Sequence, residues 1–418
     1  MQKLEVLGAA KLKGNVDISG SKNASLPILA ATILSDKKVY LGNLPKVKDI
    51  ETMINLLKSM GSQIKFDKKN LIINNNKQNK NFASYNLVKT MRAGILVLGP
   101  LLAKFGRAKV SLPGGCAIGT RPVDIHLKAL SKLGVKYKIS QGYVHAIAPK
   151  GLIGSKIHFP KISVGATENL IIAASLAKGT TFLSNCAIEP EIKDLVNFLL
   201  KMGCKLKWVS KRSLKIEGVN FINEASYTVM FDRIEAGTYL IAAAVTEGNL
   251  KIKNVNPALI KTEIDILKKT GAKIKAKRNE IHIKGCKKIK GINLKTAPWP
   301  GLATDLQAQM MVLLCKANKR SIIQENIFEN RFMHVAELNR MGAKILINGN
   351  RAIIDGNIEF AAAELMATDL RASVSLVLAA LTTKGKSLIN RIYHLDRGYE
   401  NLVSKLSNVG AKIERISD

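Results

Sequence analysis

The chain has 418 residues, 47% hydrophobic and 23% charged, which is ample for a sizeable core and excludes a disordered chain or a small stapled scaffold. Lys+Arg 65 against Asp+Glu 31 gives a net charge of +34. The excess is nearly all lysine and is spread along the chain, with few aromatic residues for base stacking, so it reads as solvated faces and a field that gathers small anions rather than as a nucleic-acid tract.

No uncharged apolar run reaches the roughly 18 residues of a membrane span. The opening Met-Gln-Lys-Leu-Glu-Val lacks the apolar stretch of a secretory signal. Five scattered cysteines (Cys116, Cys186, Cys204, Cys286 and Cys315), with no CxxC pair, argue for a reducing compartment and against a disulfide frame or a structural zinc site. The expectation is a soluble cytoplasmic protein with no metal, no membrane partner and no nucleic acid.

An internal repeat organises the elements. An amphipathic helical stretch runs into a glycine turn and then a strand six times: LLKSMGSQI, ALSKLGVKY, FLLKMGCKL, ILKKTGAKI, ELNRMGAKI and KLSNVGAKI. The glycines are Gly61, Gly134, Gly203, Gly271, Gly342 and Gly410, at spacings of 73, 69, 68, 71 and 68 residues. Each follows the last apolar helical residue, where a left-handed residue ends a helix at least cost. Upstream of most of them lies an Ala-rich helix that is apolar nearly all round, as in TENLIIAASLAKGTTFLSN and AGTYLIAAAVTEGNLKIKN. Such helices are expected to be buried, which gives an α/β class with α+β layering, sheets wrapped around helices.

Several segments carry chemistry, in chain order. Residues 20–36 place Lys22 and Asn23 at the start of a buried helix, where backbone N–H groups favour anions and Asn can cap. Residues 90–127 contain Arg92 and the run Pro113-Gly114-Gly115-Cys116-Ala117-Ile118-Gly119-Thr120-Arg121-Pro122. Three glycines and two prolines around one cysteine mark a loop on which a thiol can reach a ligand as acid or nucleophile. His126, in the next helical stretch, reads as structural. Residues 161–169 open another apolar helix, with Thr167 as a candidate cap. Residues 296–309 place Thr304 and Asp305 at a loop–helix junction, suited to capping or to a general base. Farther on, Arg371 and Arg397 stand beside helix starts. Among so many lysines, the few arginines point better to specific carboxylate or phosphate contacts.

Taken together, LPGGCAIGTRPVD, TAPWPGLATDLQAQ, ENRFMH, MATDLRAS and RIYHLDRGYE resemble the enolpyruvyl transferases over essentially the whole chain. The similarity is to members that act on UDP-N-acetylglucosamine in peptidoglycan precursor synthesis. It implies a two-domain inside-out α/β barrel, each domain three βαβαββ-type repeats with buried helices. The domains implied are 21–228 and 1–20 with 229–418, the active site lies in a cleft between them, and the cysteine loop is its lid.

The resemblance also implies the chemistry. The enolpyruvyl group of phosphoenolpyruvate passes to the sugar 3-hydroxyl with release of phosphate, by addition then elimination and without a cofactor. Cys116 would protonate the methylene carbon, and its presence implies inhibition by an adduct-forming epoxide such as fosfomycin. Asp305 would take the sugar hydroxyl proton. Lys22, Arg121 and Arg397 would hold phosphoenolpyruvate, with Arg92 near the anionic end and Arg331 and Arg371 in support. Asn23, the run Arg121, Pro122, Val123, Asp124 and Ile125, the run Lys161, Ile162, Ser163 and Val164, Asp305 and Ile327 would line the nucleotide sugar. A monomer is expected. The alternatives are transfer to shikimate 3-phosphate, whose enzymes lack this cysteine loop, and an RNA-end-processing protein, which would need a histidine motif absent here.

Overall fold

All six periodic glycines have positive φ, between +88° at Gly203 and +110° at Gly271. A side chain at those angles clashes with its own backbone, so the helix stops where glycine is placed. The computed structural model describes residues 2–67, 70–89, 91–112 and 123–417, with Arg92 described by its backbone alone. The Cys116 segment, including Arg121 and Pro122, lies outside the described residues.

Residues up to Ser19 and from Phe231 onward form one compact unit, called here the terminal unit. The chain from Gly20 to Met230 supplies the other, the inserted unit. Among the described residues each contains three four-stranded sheets, and these six share one plan. A short edge strand pairs in parallel with the strand that follows a buried helix. That strand is antiparallel to the second arm of a hairpin, whose first arm forms the far edge. In the sheet of Lys156–His158, for example, the neighbours in order are Thr180–Ser184, Ser213–Glu217 and Lys205–Ser210.

Two of the sheets are closed by distant chain segments. In the inserted unit, Ala225–Thr228 returns to pair with Val39–Gly42. In the terminal unit, Lys13–Asp17 pairs with Asn249–Lys253, and Lys3–Leu7 lies between Lys386–Asn390 and Lys412–Ile416. The first strand therefore fills the hairpin position that the last repeat lacks.

The inside-out expectation holds for the helices and needs one correction for the sheets. Helices Lys22–Ala31, Val164–Ala174, Arg233–Val245, Gln307–Cys315 and Leu370–Ala380 are buried along nearly their whole length. The strands bury alternate residues against them, as Val39 and Leu41 do at 0% exposure. Among the described residues no sheet closes into a barrel: the six stay separate. With side chains on all faces, a buried helix is held by packing rather than by a stripe, so truncating one of its leucines to Ala should cost about 2–5 kcal/mol. No helix among the described residues is long and apolar enough to cross a membrane.

Candidate active site

In the inserted unit, Ser21 caps helix Lys22–Ala31 by accepting from Ala24 N at 3.2 Å, which corrects the expectation of Asn23 as cap. Just before the helix the chain passes so close to Asn43 that a Cβ on Gly20 would fall 1.6 Å from its carbonyl oxygen, so only glycine fits there. Lys22 is buried here, and its Nζ donates to Asp49 Oδ2 at 3.2 Å. Asp49 belongs to the first turn of helix Lys48–Ser59 and is itself buried. A buried lysine is costly without such a partner.

Helix Val164–Ala174 is capped by Ser163, which accepts from Ala166 N at 3.3 Å, so Thr167 is not its cap. Thr167 instead donates to the Ser163 carbonyl and accepts from Ala187 N, tying the helix to the following loop. Lys161 and Val164 are exposed beside it, with Ile162 half-buried. Val123 and Asp124 are half-buried at the start of helix Asp124–Lys132, and Ile125 is buried.

His126 is structural. Its Nδ1 accepts from Asn169 Nδ2 at 3.2 Å, and Asn169 also accepts from Gly99 N and donates to the Ile95 carbonyl. Burial pulls the imidazole down to about 4 against the opposing pull of Asp124, so it is neutral near pH 7.

In the terminal unit, Asp305 lies in the short helical turn Thr304–Leu306 that leads into buried helix Gln307–Cys315. Arg331 Nη2 donates to Asp305 Oδ1 and Arg371 Nη2 to Asp305 Oδ2, each at 2.8 Å. Both arginines are almost completely buried, while the Asp305 side chain keeps 24% exposure. The two guanidiniums therefore act first on Asp305, a contact the sequence did not suggest. Each carboxylate oxygen has lone-pair capacity beyond the one donor named.

Asp369 caps helix Leu370–Ala380 by accepting from Arg371 N and Ala372 N, which fixes where Arg371 begins its reach. The Arg371 guanidinium stands 5.5 Å over the Tyr399 ring. Burial lowers its basicity, but Asp305, Tyr399 and Asp232 together hold it above the ordinary arginine range.

Two further side chains brace this cluster and carried no sequence signal. Glu325, 2% exposed, accepts at Oε1 from Thr296 Oγ1 and the backbone N–H groups of Ile327 and Phe328, and at Oε2 from Thr304 Oγ1. One carboxylate thus ties the loop before Asp305 to the loop that carries Ile327 and Arg331. Thr304 serves that tie rather than a cap, since Ala303 precedes the turn without a capping bond. Gln309 Nε2 donates to the Asp305 carbonyl, Thr238 Oγ1 and Tyr399 OH. Arg397 ends the half-exposed turn Ile392–Arg397; burial first, and the Arg397 charge second, lower neighbouring His394. Among the described residues no group of three or more His, Cys, Asp or Glu is placed to hold a metal ion.

The matched family model spans residues 6–406 and is described as EPSP synthase (3-phosphoshikimate 1-carboxyvinyltransferase). The chain belongs to the enolpyruvyl transferase family. Within this family it is 77% identical over 417 residues to the UDP-N-acetylglucosamine 1-carboxyvinyltransferase of Pelagibacter ubique (strain HTCC1062), covering 100% of both chains. It is 49% identical over 418 residues to the protein of the same name from Trichlorobacter lovleyi, again with 100% coverage of both. Among solved structures, the enolpyruvyl transferase NikO from Streptomyces tendae superposes with a TM-score of 0.91 at 22% identity, covering 100% of this chain and 99% of that one. EPSP synthase from Acinetobacter baumannii does so at 0.78 and 19%, covering 100% of both. These two share the enolpyruvyl transferase fold.

Proposed function

We propose that this chain transfers the enolpyruvyl group of phosphoenolpyruvate to the 3-hydroxyl of UDP-N-acetylglucosamine, releasing phosphate, in the cytoplasm and as a monomer. The observation that supports it most is the Asp305 cluster: a partly exposed carboxylate at a helix start, oriented through both oxygens by buried arginines, in a chain 77% identical throughout to a UDP-N-acetylglucosamine 1-carboxyvinyltransferase.

In this reading Asp305 takes the proton of the attacking sugar hydroxyl as the oxygen bonds to C2 of phosphoenolpyruvate. Cys116 delivers a proton to C3, which becomes a methyl group. The tetrahedral adduct then loses a proton from that methyl and expels phosphate, restoring the double bond. General acid and base groups of this kind contribute about 10²–10⁴-fold each. Lys22, Arg121 and Arg397 hold the anionic groups of phosphoenolpyruvate, with Arg92 nearby. Asn23, the 121–125 run, the 161–164 run and Ile327 line the nucleotide sugar. Arg331 and Arg371 act through Asp305, by fixing where its oxygens point.

The test is phosphate release from phosphoenolpyruvate with UDP-N-acetylglucosamine or shikimate 3-phosphate as acceptor, for the native chain and Cys116→Ala. The proposal expects release with the nucleotide sugar alone and its loss in the variant. Release with shikimate 3-phosphate alone, or with neither acceptor, overturns it.

A further inference from the structure

The lysine excess is spread along the sequence, yet one sheet of the terminal unit gathers it. In the sheet Lys13–Asp17, Asn249–Lys253, Glu280–Lys284 and Lys273–Lys277, alternate residues point away from the core. The inward set, including Val16, Leu250, Ile252, Ile281 and Ile283, is buried. The outward set forms three rows across the strands. The first carries Lys13, Lys284 and Lys273 with Asn249. The second carries Lys251 and Lys275 with His282 and Asn15. The third carries Lys253 and Lys277 with Glu280 and Asp17.

Acidic side chains stand only in that third row, where Glu280 draws Lys251 to 3.8 Å and Lys277 to 3.6 Å. The other five lysines of the face make no ion pair among the described residues.

The five sister sheets are internal controls. They have the same strand order, the same outward alternation and the same chain-wide composition, so a compositional bias alone would load them equally. By the same register, none of their outward faces carries more than four lysines and arginines. This face carries seven lysines and no arginine.

The type of cation narrows the occupant. The outward rows hold no Phe, Tyr, Trp or guanidinium, the groups that stack best or fork onto bases, and their one imidazole, His282, is hydrogen-bonded to Asn249 Oδ1 at 2.6 Å. They also lack the aromatic and aliphatic anchors of a protein interface, where lysine is depleted. What they offer is an array of point charges about 7 Å apart along the strands and, except for the adjacent Lys273 and Lys284, two strands or about 10 Å apart across them. Such a lattice complements a planar array of negative headgroups.

We propose that this face docks the protein peripherally on an anionic lipid bilayer. Nothing inserts, which is consistent with the lack of a membrane-spanning helix among the described residues. The attraction acts within about one Debye length, so it is weakened by salt.

The test is sedimentation of the full chain with phosphatidylcholine vesicles, with and without one-third phosphatidylglycerol, near physiological ionic strength. The native chain is expected to bind the anionic vesicles only. Lys273→Gln/Lys275→Gln/Lys284→Gln should weaken that binding roughly 100-fold, at about fivefold per surface lysine. The control Lys156→Gln/Lys205→Gln/Lys207→Gln removes equal charge from another sheet and should change it little.

Both triples lie on exposed positions, and unchanged melting temperature checks that each folds; Lys13→Gln/Lys251→Gln/Lys253→Gln is the second variant should the first fail to fold. No binding to anionic vesicles overturns the proposal. Equal loss in face and control variants does so too, because net charge would then explain it. Binding to single-stranded RNA with none to vesicles also overturns it, by making the occupant a nucleic acid.

Discussion

Lys22 and Asp305 each stand at the start of a buried helix, one in each unit, and each meets an opposite charge, but the two differ in exposure. Lys22 pairs with Asp49 at 3.2 Å, and both are nearly dry. Asp305 meets two guanidiniums at 2.8 Å and keeps a quarter of its side chain open. A dry pair fixes a lysine that would hold an anion beside the Asp49 carboxylate. A carboxylate held by two buried guanidiniums and a quarter exposed keeps its direction while staying accessible. The first arrangement suits holding a charge in place, and the second suits presenting one to a substrate.

The largest break in that comparison is Asp305→Asn. The amide keeps the shape but is a poor base, so turnover in the phosphate-release assay should fall about 10²–10⁴-fold. A loss below tenfold would remove Asp305 from the role of base. Next comes Lys22→Met, which leaves Asp49 buried without its lysine. Breaking a buried pair from one side costs about 3–5 kcal/mol, and Lys22→Met/Asp49→Asn should recover part of it. Urea unfolding of the two single variants and the double variant measures the coupling. Strict additivity would mean the pair contributes nothing to the fold.

The repeat, the buried helices and the helix-ending glycines were legible because each rests on local chemistry: apolar periodicity, Ala-rich all-round helices and the positive φ that only glycine takes cheaply. The residue types of the site were legible through motifs. Their partners were not. Asp49 lies 27 residues from Lys22, and Arg371 lies 66 from Asp305, pairings set by how helices pack rather than by any spacing. Caps were misplaced by two and four residues, since Ser21, Asn23, Ser163 and Thr167 all have plausible capping chemistry and backbone geometry chooses among them. Glu325 carries no motif or spacing signal, and only its burial and its partners show it as the tie between two loops.

Glu325→Gln sharpens the comparison further, because it leaves the Arg331 and Arg371 contacts in place and loosens what carries them. The amide can still accept at one atom, but its NH2 faces groups that donate, so stability should fall by about 1–3 kcal/mol. Turnover should fall by more than the KM for either substrate changes. A purely structural brace would lower melting temperature and leave turnover per folded molecule untouched. Thr304→Val, which removes a single donor to Glu325, should show the same pattern at smaller size.

The smallest effect is a difference in slope with pH. His126, in the inserted unit, has its folded pKa depressed to about 4 by burial, against an ordinary imidazole value of 6.5. The unfolded chain therefore binds more protons between those values, and the contribution of His126 to stability is complete above pH 6.5 and declines as pH falls toward 4. Burial raises Asp194 to about 6 and Glu235 to about 7, and these act with the opposite sign, adding stability as the pH drops through the same range. The native curve alone thus mixes the two. The difference between the native chain and His126→Gln isolates the histidine. That difference should shrink by about 1 kcal/mol from pH 6.5 to 5.5, because the native chain loses a contribution the variant never had. His334 in the terminal unit is also depressed by burial and is retained in both proteins, so its slope cancels. A difference that stays constant across that window would mean His126 is hydrated in solution, and that the Asn169 contact does not keep it neutral.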